Sequence, residues 1–136
     1  MKVIMDVIID TSVIIAVIAN EPEKAAIVRQ TRGTTLVAPR SVHWEIGNAF
    51  SAMLKRQRIT LEQARQAIEI YKTISIRFVE VELEQALEIS DELGIFAYDA
   101  YLLQGALKYK MPLLALDKDL LGYARQKGIR TVEVTP

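Results

Sequence analysis

The chain has 136 residues, 51% apolar and 25% charged, which suits one domain with one core and matches the composition of an ordinary soluble globular protein. Lysine plus arginine balances aspartate plus glutamate at 17 each, so net charge argues neither for nor against nucleic acid; a neutral protein can still carry a local basic patch. With no cysteine there is no disulfide framework and no thiolate chemistry, which fits a reducing cytoplasm.

Residues 3–9, VIMDVII, are short and β-branched and read as a buried parallel strand. Asp10 ends it, and Thr11 and Ser12 can cap a helix over residues 13–19. The apolar window 3–19 is no membrane span, because it contains Asp6 and Asp10 and an acid at a helix centre is expensive in lipid. It is also a poor secretion signal, with no clear small-residue cleavage site before Glu21-Pro22-Glu23. Those three residues open a second helix, with proline and acids where a first turn tolerates them; it fades near Gly33. Residues 36–38 are a short strand closed by Pro39. A long helix covers residues 41–58. Thr60-Leu61-Glu62-Gln63 is a capping box that opens the next, to residue 74. Residues 77–82 alternate like a strand. Residues 83–93 are helical and stop at Gly94; residues 97–110 are helical and stop before Pro112. A strand at 113–116, a helix at 118–127 ended by Gly128, and a strand at 131–134 complete the chain. Strands alternating with helices predict an α/β fold: one domain over residues 1–136, with a central parallel sheet of four to five strands flanked by helices.

Four acids do not fit their surroundings. Asp10 lies between Val7-Ile8-Ile9 and Val13-Ile14-Ile15. Burying an unpaired charge is costly, so such a group is normally partnered, neutralised or bound to a metal. In AYDAYLLQGALKY, residues 97–109, helical spacing aligns Asp99 with Leu102, Leu103 and Ala106, and with Phe96 behind it, at the centre of an apolar face. Glu45 lies at the edge of the stripe made by Val42, Ile46, Ala49, Phe50 and Met53. Asp117 directly follows a buried strand. Asp10 and Asp117 therefore sit at carboxyl ends of parallel strands, the edge where open α/β sheets bind ligands, and the other two acids are on helices that can lean over it. Converging carboxylates raise one another's proton affinity unless a cation intervenes. Oxygen ligands without Cys or His suit Mg²⁺ or Mn²⁺, and such a site activates water and steadies charge on a phosphate under attack. Each acid also has a duller explanation: helix caps for Asp10 and Asp117, a snorkelling edge residue for Glu45, a buried salt bridge for Asp99.

The succession IIDTSVI, WEIGNAF, YDAYLL and LLALDKDLL resembles the PIN-domain family, and especially VapC-type toxins. The likeness covers essentially the whole chain in length, element order and acid spacing. EIGNAFSAMLKRQRITLEQA is similar to the VapC subgroup with an acid-x-x-Asn helix and a following basic turn. The resemblance implies a PIN-like nuclease domain and a metal-dependent endoribonuclease. One or two Mg²⁺ or Mn²⁺ ions would sit among Asp10, Glu45, Asp99 and Asp117, as metal ligands and catalytic groups. RNA phosphodiesters would be hydrolysed to a 5′-phosphate and a 3′-hydroxyl. Ser12 matches the family's hydroxyl after the first aspartate, Thr11 the preceding one, Asp119 an extra acid, and Asn48, one turn beyond Glu45, a residue lining the site. The family commonly has Thr two residues before its last aspartate; here that residue is Ala115. A homodimer and a cognate VapB-type antitoxin, whose tail enters the acidic groove, are also implied. The alternatives are a PIN nuclease of RNA processing without an antitoxin, and a noncatalytic PIN scaffold binding a protein partner. A phospho-acceptor receiver domain is set aside, because Ala38-Pro39 offers no aspartate at the end of a middle strand.

Beyond the acids, Lys55, Arg56 and Arg58 form the densest basic run, open to RNA-backbone contact or to a plain role as a solvated helix end. Arg40, after a strand and Pro39, is better placed to hold a phosphate. His43 is the only histidine and has no nucleophile motif around it. Trp44, Tyr98 and Tyr101 are expected in the core or a dimer interface, with Tyr98 the best stacking candidate because it neighbours Asp99.

Overall fold

The computed structural model describes residues 5–135. Five strands, β1 (Asp6–Ile9), β2 (Thr35–Pro39), β3 (Ile76–Val79), β4 (Leu113–Ala115) and β5 (Thr131–Glu133), form one parallel sheet in the order β3-β2-β1-β4-β5. Seven helices flank it among the described residues: α1 (Thr11–Ile18), α2 (Lys24–Thr31), α3 (Ser41–Lys55), α4 (Leu61–Thr73), α5 (Leu83–Leu93), α6 (Ala97–Tyr109) and α7 (Lys118–Gln126). The α/β class and the parallel sheet therefore agree with the expectation. Residues 3 and 4 of the first expected strand lie outside the described residues. No helix among the described residues is long and apolar enough to cross a membrane.

β1 is the central strand, and Val7, Ile8 and Ile9 are all buried, as an unbroken apolar run in a two-sided sheet requires. From β1 the sheet grows through β2 to β3. The chain then returns to the other side of β1 to lay down β4 and β5. The strand order thus reverses between β1 and β4, and the crevice beyond their carboxyl ends is the topological switch point of the sheet.

α6 packs over β1, β2 and β4 and against α5. It is buried continuously from Leu102 to Ala106. Gly105 is the point of closest approach: a Cβ there would lie 2.8 Å from Ile8 Cδ1 and 3.4 Å from Val81 Cγ1. The buried Gln104 side chain accepts a 2.8 Å hydrogen bond from the Glu82 amide.

Several boundaries differ from expectation for physical reasons. α1 starts at Thr11, because Asp10 itself is the cap, accepting from the Val13 amide at 3.3 Å. α3 ends at Lys55, short of residue 58: Gln57 adopts a left-handed φ of 55°, and the Arg58 amide bonds back to the Met53 carbonyl. β3 stops at Val79, because its partner β2 ends opposite at Pro39 and turns into α3. Beyond it, the Glu80 carbonyl accepts from the Tyr109 hydroxyl instead of a strand. Phe96 is not part of an apolar face: it is 90% exposed, since it precedes α6 in an extended conformation to which helical spacing does not apply. Trp44 is not in the core; it is 68% exposed, on the side of α3 away from the buried Val42, Ile46 and Phe50.

Candidate active site

Four helices start at the crevice edge, and each brings one of the four acids. Asp10 caps α1, directly after β1. Glu45 lies just past the first turn of α3, Asp99 in the first turn of α6, and Asp117 caps α7, directly after β4. A carboxylate is favoured near a helix N-terminus, where unpaired amides carry partial positive charge. Both capping roles weighed from sequence are therefore real. Asp117 Oδ1 accepts from the Asp119 and Leu120 amides, at 2.9 and 3.4 Å. No bond to its other oxygen is present among the described residues.

Asp10 is only 6% exposed, and burial pushes its carboxyl up from 3.8 to about 6, against the lowering effect of its bonds to Ser12 and Val13. The charge of Glu45 adds to the rise. Glu45 is raised in turn, first by burial and then by the charge of Asp99, while its hydrogen bond from Thr11 opposes both. Asp99 is raised by burial and by the charge of Asp117. Each acid thus feels the next in the series Asp10, Glu45, Asp99, Asp117. Asp99 is half-buried at this edge and not packed into the core.

Two hydroxyls organise the acids. Thr11 Oγ1 donates to Glu45 Oε2 at 2.8 Å. Ser12 Oγ lies 2.8 and 2.7 Å from the two oxygens of Asp10, and accepts from the Leu116 amide at 3.4 Å. Ser12 therefore ties the loop after β1 to the loop after β4, across the switch point. Ala115, at the end of β4, is fully enclosed, and no side-chain hydroxyl is offered there.

The remaining expected residues separate into near and far. Asn48 is exposed one turn beyond Glu45, and Asp119 is exposed in the first turn of α7. Arg40 immediately precedes α3, its guanidinium 3.9 Å from Glu80 and over the ring of Phe78. Lys55, Arg56 and Arg58 are exposed at the other end of α3, ten residues or ~15 Å along the helix from Glu45. The fold does not bring them to the acids. His43 is likewise committed elsewhere, to the Tyr71 hydroxyl at 2.9 Å.

The donor set is carboxylate and hydroxyl oxygen, which fits a hard divalent cation and not a thiophilic one. A cation would also offset the burial, and the lesser mutual repulsion, that raise Asp10, Glu45 and Asp99. Among the described residues no three acidic, histidine or cysteine side chains already form a ready cage, so an ion would have to draw the carboxylates together.

A sequence model described as PIN domain matches residues 7–126. The fold is similar to that of a Pyrobaculum aerophilum protein, at 20% identity and a TM-score of 0.69, over 94% of this chain and 84% of that one. It is also similar to VapBC2 from Rickettsia felis, bound to a DNA fragment from their promoter, at 13% identity and a TM-score of 0.71, over 96% of this chain and 100% of the other. A third similar structure is VapC20 of Mycobacterium tuberculosis, a Sarcin-Ricin loop cleaving toxin, at 18% identity and a TM-score of 0.64, over 96% and 99%. At these identities the likeness is one of fold. No curated protein matches the chain.

Proposed function

The chain belongs to the PIN-domain family, and on that premise we propose that it is a metal-dependent endoribonuclease, the VapC-type toxin of a toxin–antitoxin pair. The observation that carries this reading is the series of four mutually charged acids at the switch point of the sheet. Asp10, Glu45, Asp99 and Asp117 would hold Mg²⁺ or Mn²⁺, one ion or two. The bound ion supplies Lewis acidity and charge neutralisation for hydrolysis of a phosphodiester.

The chain's own groups do the positioning. Ser12 and the Val13 amide fix the carboxylate of Asp10, and Thr11 fixes Glu45. The amide ends of α1 and α7 at this edge are taken by Asp10 and Asp117, which holds those two carboxylates in place. Asn48 and Asp119 flank the acids and would contact substrate or ordered water. Lys55, Arg56 and Arg58 lie too far along α3 to touch the scissile phosphate, and would engage only more distant backbone. The partners in this reading are an RNA substrate, a VapB-type antitoxin and a second copy of the chain; the fold likeness to VapBC2 and VapC20 supports it.

Cleavage of a mixed tRNA and mRNA pool tests the activity, with Mn²⁺ or Mg²⁺, with EDTA, and with Asp99→Asn beside wild type. Metal-dependent cutting that EDTA and Asp99→Asn both abolish is the expected result. Cutting that persists in Asp99→Asn, or a folded, antitoxin-free protein that cuts nothing with either metal, would overturn the reading.

A further inference from the structure

On the β3 side of the acidic edge a pocket of about 230 Å³ opens between the end of β3, the start of α3 and the flank of α6. Val79, Val81 and Tyr101 line it with apolar surface, and Arg40, Ser41 and Glu80 supply its polar groups. Arg40 Nε and Glu80 Oε1 are 3.9 Å apart, and the two side chains are 67% and 81% exposed, so the pair is loose. The guanidinium rests over the Phe78 ring, 5.8 Å from its centroid. Its remaining N–H donors and the second oxygen of Glu80 are uncommitted among the described residues. Ser41 forms part of the wall, with its Oγ turned into enclosed space and without a hydrogen bond among the described residues. Ser41 precedes Glu45 by one turn of α3, a rise of ~6 Å along that helix.

We propose that this pocket receives a guanine base of the RNA substrate, next to the nucleotide that is cut. The proposal rests on the ribonuclease reading for its substrate. Guanine presents two acceptors, N7 and O6, followed by two donors, N1–H and the N2 amine. A guanidinium standing beside a carboxylate presents the complementary order, donors and then acceptors. Adenine and uracil alternate donor and acceptor and leave one of the two charged groups unmatched. Cytosine has a single amino donor for Glu80, where guanine has two. The apolar walls suit the faces of a flat base. A backbone phosphate, the other ligand Arg40 invites, is repelled by the Glu80 carboxylate at its side.

The test is fluorescence anisotropy with labelled, uridine-rich heptanucleotides carrying one central guanine, inosine, adenine or cytosine. They are titrated with the full chain bearing Asp99→Asn, so that no probe is cut, with and without Glu80→Gln. Guanine should bind roughly tenfold tighter than adenine, with inosine between them because it lacks the N2 amine. Glu80→Gln should bring guanine and adenine within about twofold. Equal affinity for all four bases, cytosine binding tightest, a guanine preference that survives Glu80→Gln, or no binding of any probe would each overturn the proposal. Cut sites of the wild-type protein, mapped in parallel, separate the two readings. Cutting without regard to guanine overturns the pocket and keeps the nuclease; guanine-selective binding without cutting keeps the pocket and overturns the nuclease.

Discussion

Thr11 and Glu45, 34 residues apart, are joined by a 2.8 Å hydrogen bond in which the threonine hydroxyl donates to the carboxylate. The bond ties the start of α1 to α3, and it opposes the upward push that burial gives Glu45. Thr11→Val keeps the shape and removes the donor. Loss of one such bond costs about 1 kcal/mol, a fall of roughly 4 °C in melting temperature for a domain of this size. The Glu45 carboxylate loses the bond that orients it, so Mn²⁺ binding at pH 7 should weaken several-fold. Thermal melts and calorimetric Mn²⁺ titration check both; a variant equal to wild type in both would show the bond to be inert.

Metal-free protein should lose stability as Asp10 ionises. Its folded carboxyl titrates at about 6 against an ordinary 3.8, so the folded state holds this proton more tightly than the unfolded chain. That contribution is full below pH 3.8 and is lost as pH rises through about 6, for a total of ~3 kcal/mol. Asp10→Asn has no proton to release, so it should gain on wild type in EDTA between pH 4 and pH 7. Urea midpoints across that range measure the gap. Parallel curves for the two proteins would reject this account of Asp10.

Divalent cations should stabilise the fold through the same acids. At a tenfold excess over its dissociation constant an ion binding only the folded state contributes about 1.4 kcal/mol, which reads as several degrees in a melt. Mn²⁺ should raise the wild-type melting temperature by that amount at pH 7, and EDTA should reverse it. Asp99→Asn should flatten the response, and Asp117→Asn should shrink it. An Asp99→Asn melt that rises as far as wild type would remove Asp99 from the ligand set.

Gly105 and Ile8 should be coupled energetically. An alanine at 105 gains roughly 1 kcal/mol of helix propensity, but its Cβ meets Ile8 Cδ1 at 2.8 Å in a packed interior. Gly105→Ala alone should therefore destabilise by about 1–3 kcal/mol. Ile8→Val deletes the obstructing methyl, and in that background the alanine should be neutral or stabilising. A double-mutant cycle by chemical denaturation measures the interaction; additive effects would show that Ile8 simply moves aside.

Much of this architecture is legible in the chain, because local chemistry and tertiary packing agree there. Gly94 ends α5 with φ of 66°, a conformation glycine adopts freely, and Thr60 and Gln63 exchange both bonds of their capping box. The shared edge of Asp10 and Asp117 follows from strand ends alone. What escaped depends on neighbours distant in sequence. The Ser12 hydroxyl meets the Leu116 amide only because β4 lies beside β1. The exposure of Trp44 reflects which face of α3 the sheet covers, and an aromatic residue gives no sign of that by itself. The Arg40–Glu80 pair needs β2 and β3 in register, with Pro39 opposite Val79. Phe96 misled because its spacing is helical and its backbone is not.

The placement of β1 at the middle of the sheet also sets when the site comes into being. β1, made before both strands it pairs with, must wait for β4 to complete its pairing, and Ser12 meets its amide partner across 104 residues of chain. Contacts of such sequence separation form late and slow folding. During translation, therefore, no nascent fragment short of Asp117 carries all four carboxylates, and the chemistry is withheld until β4 and the start of α7 have been made.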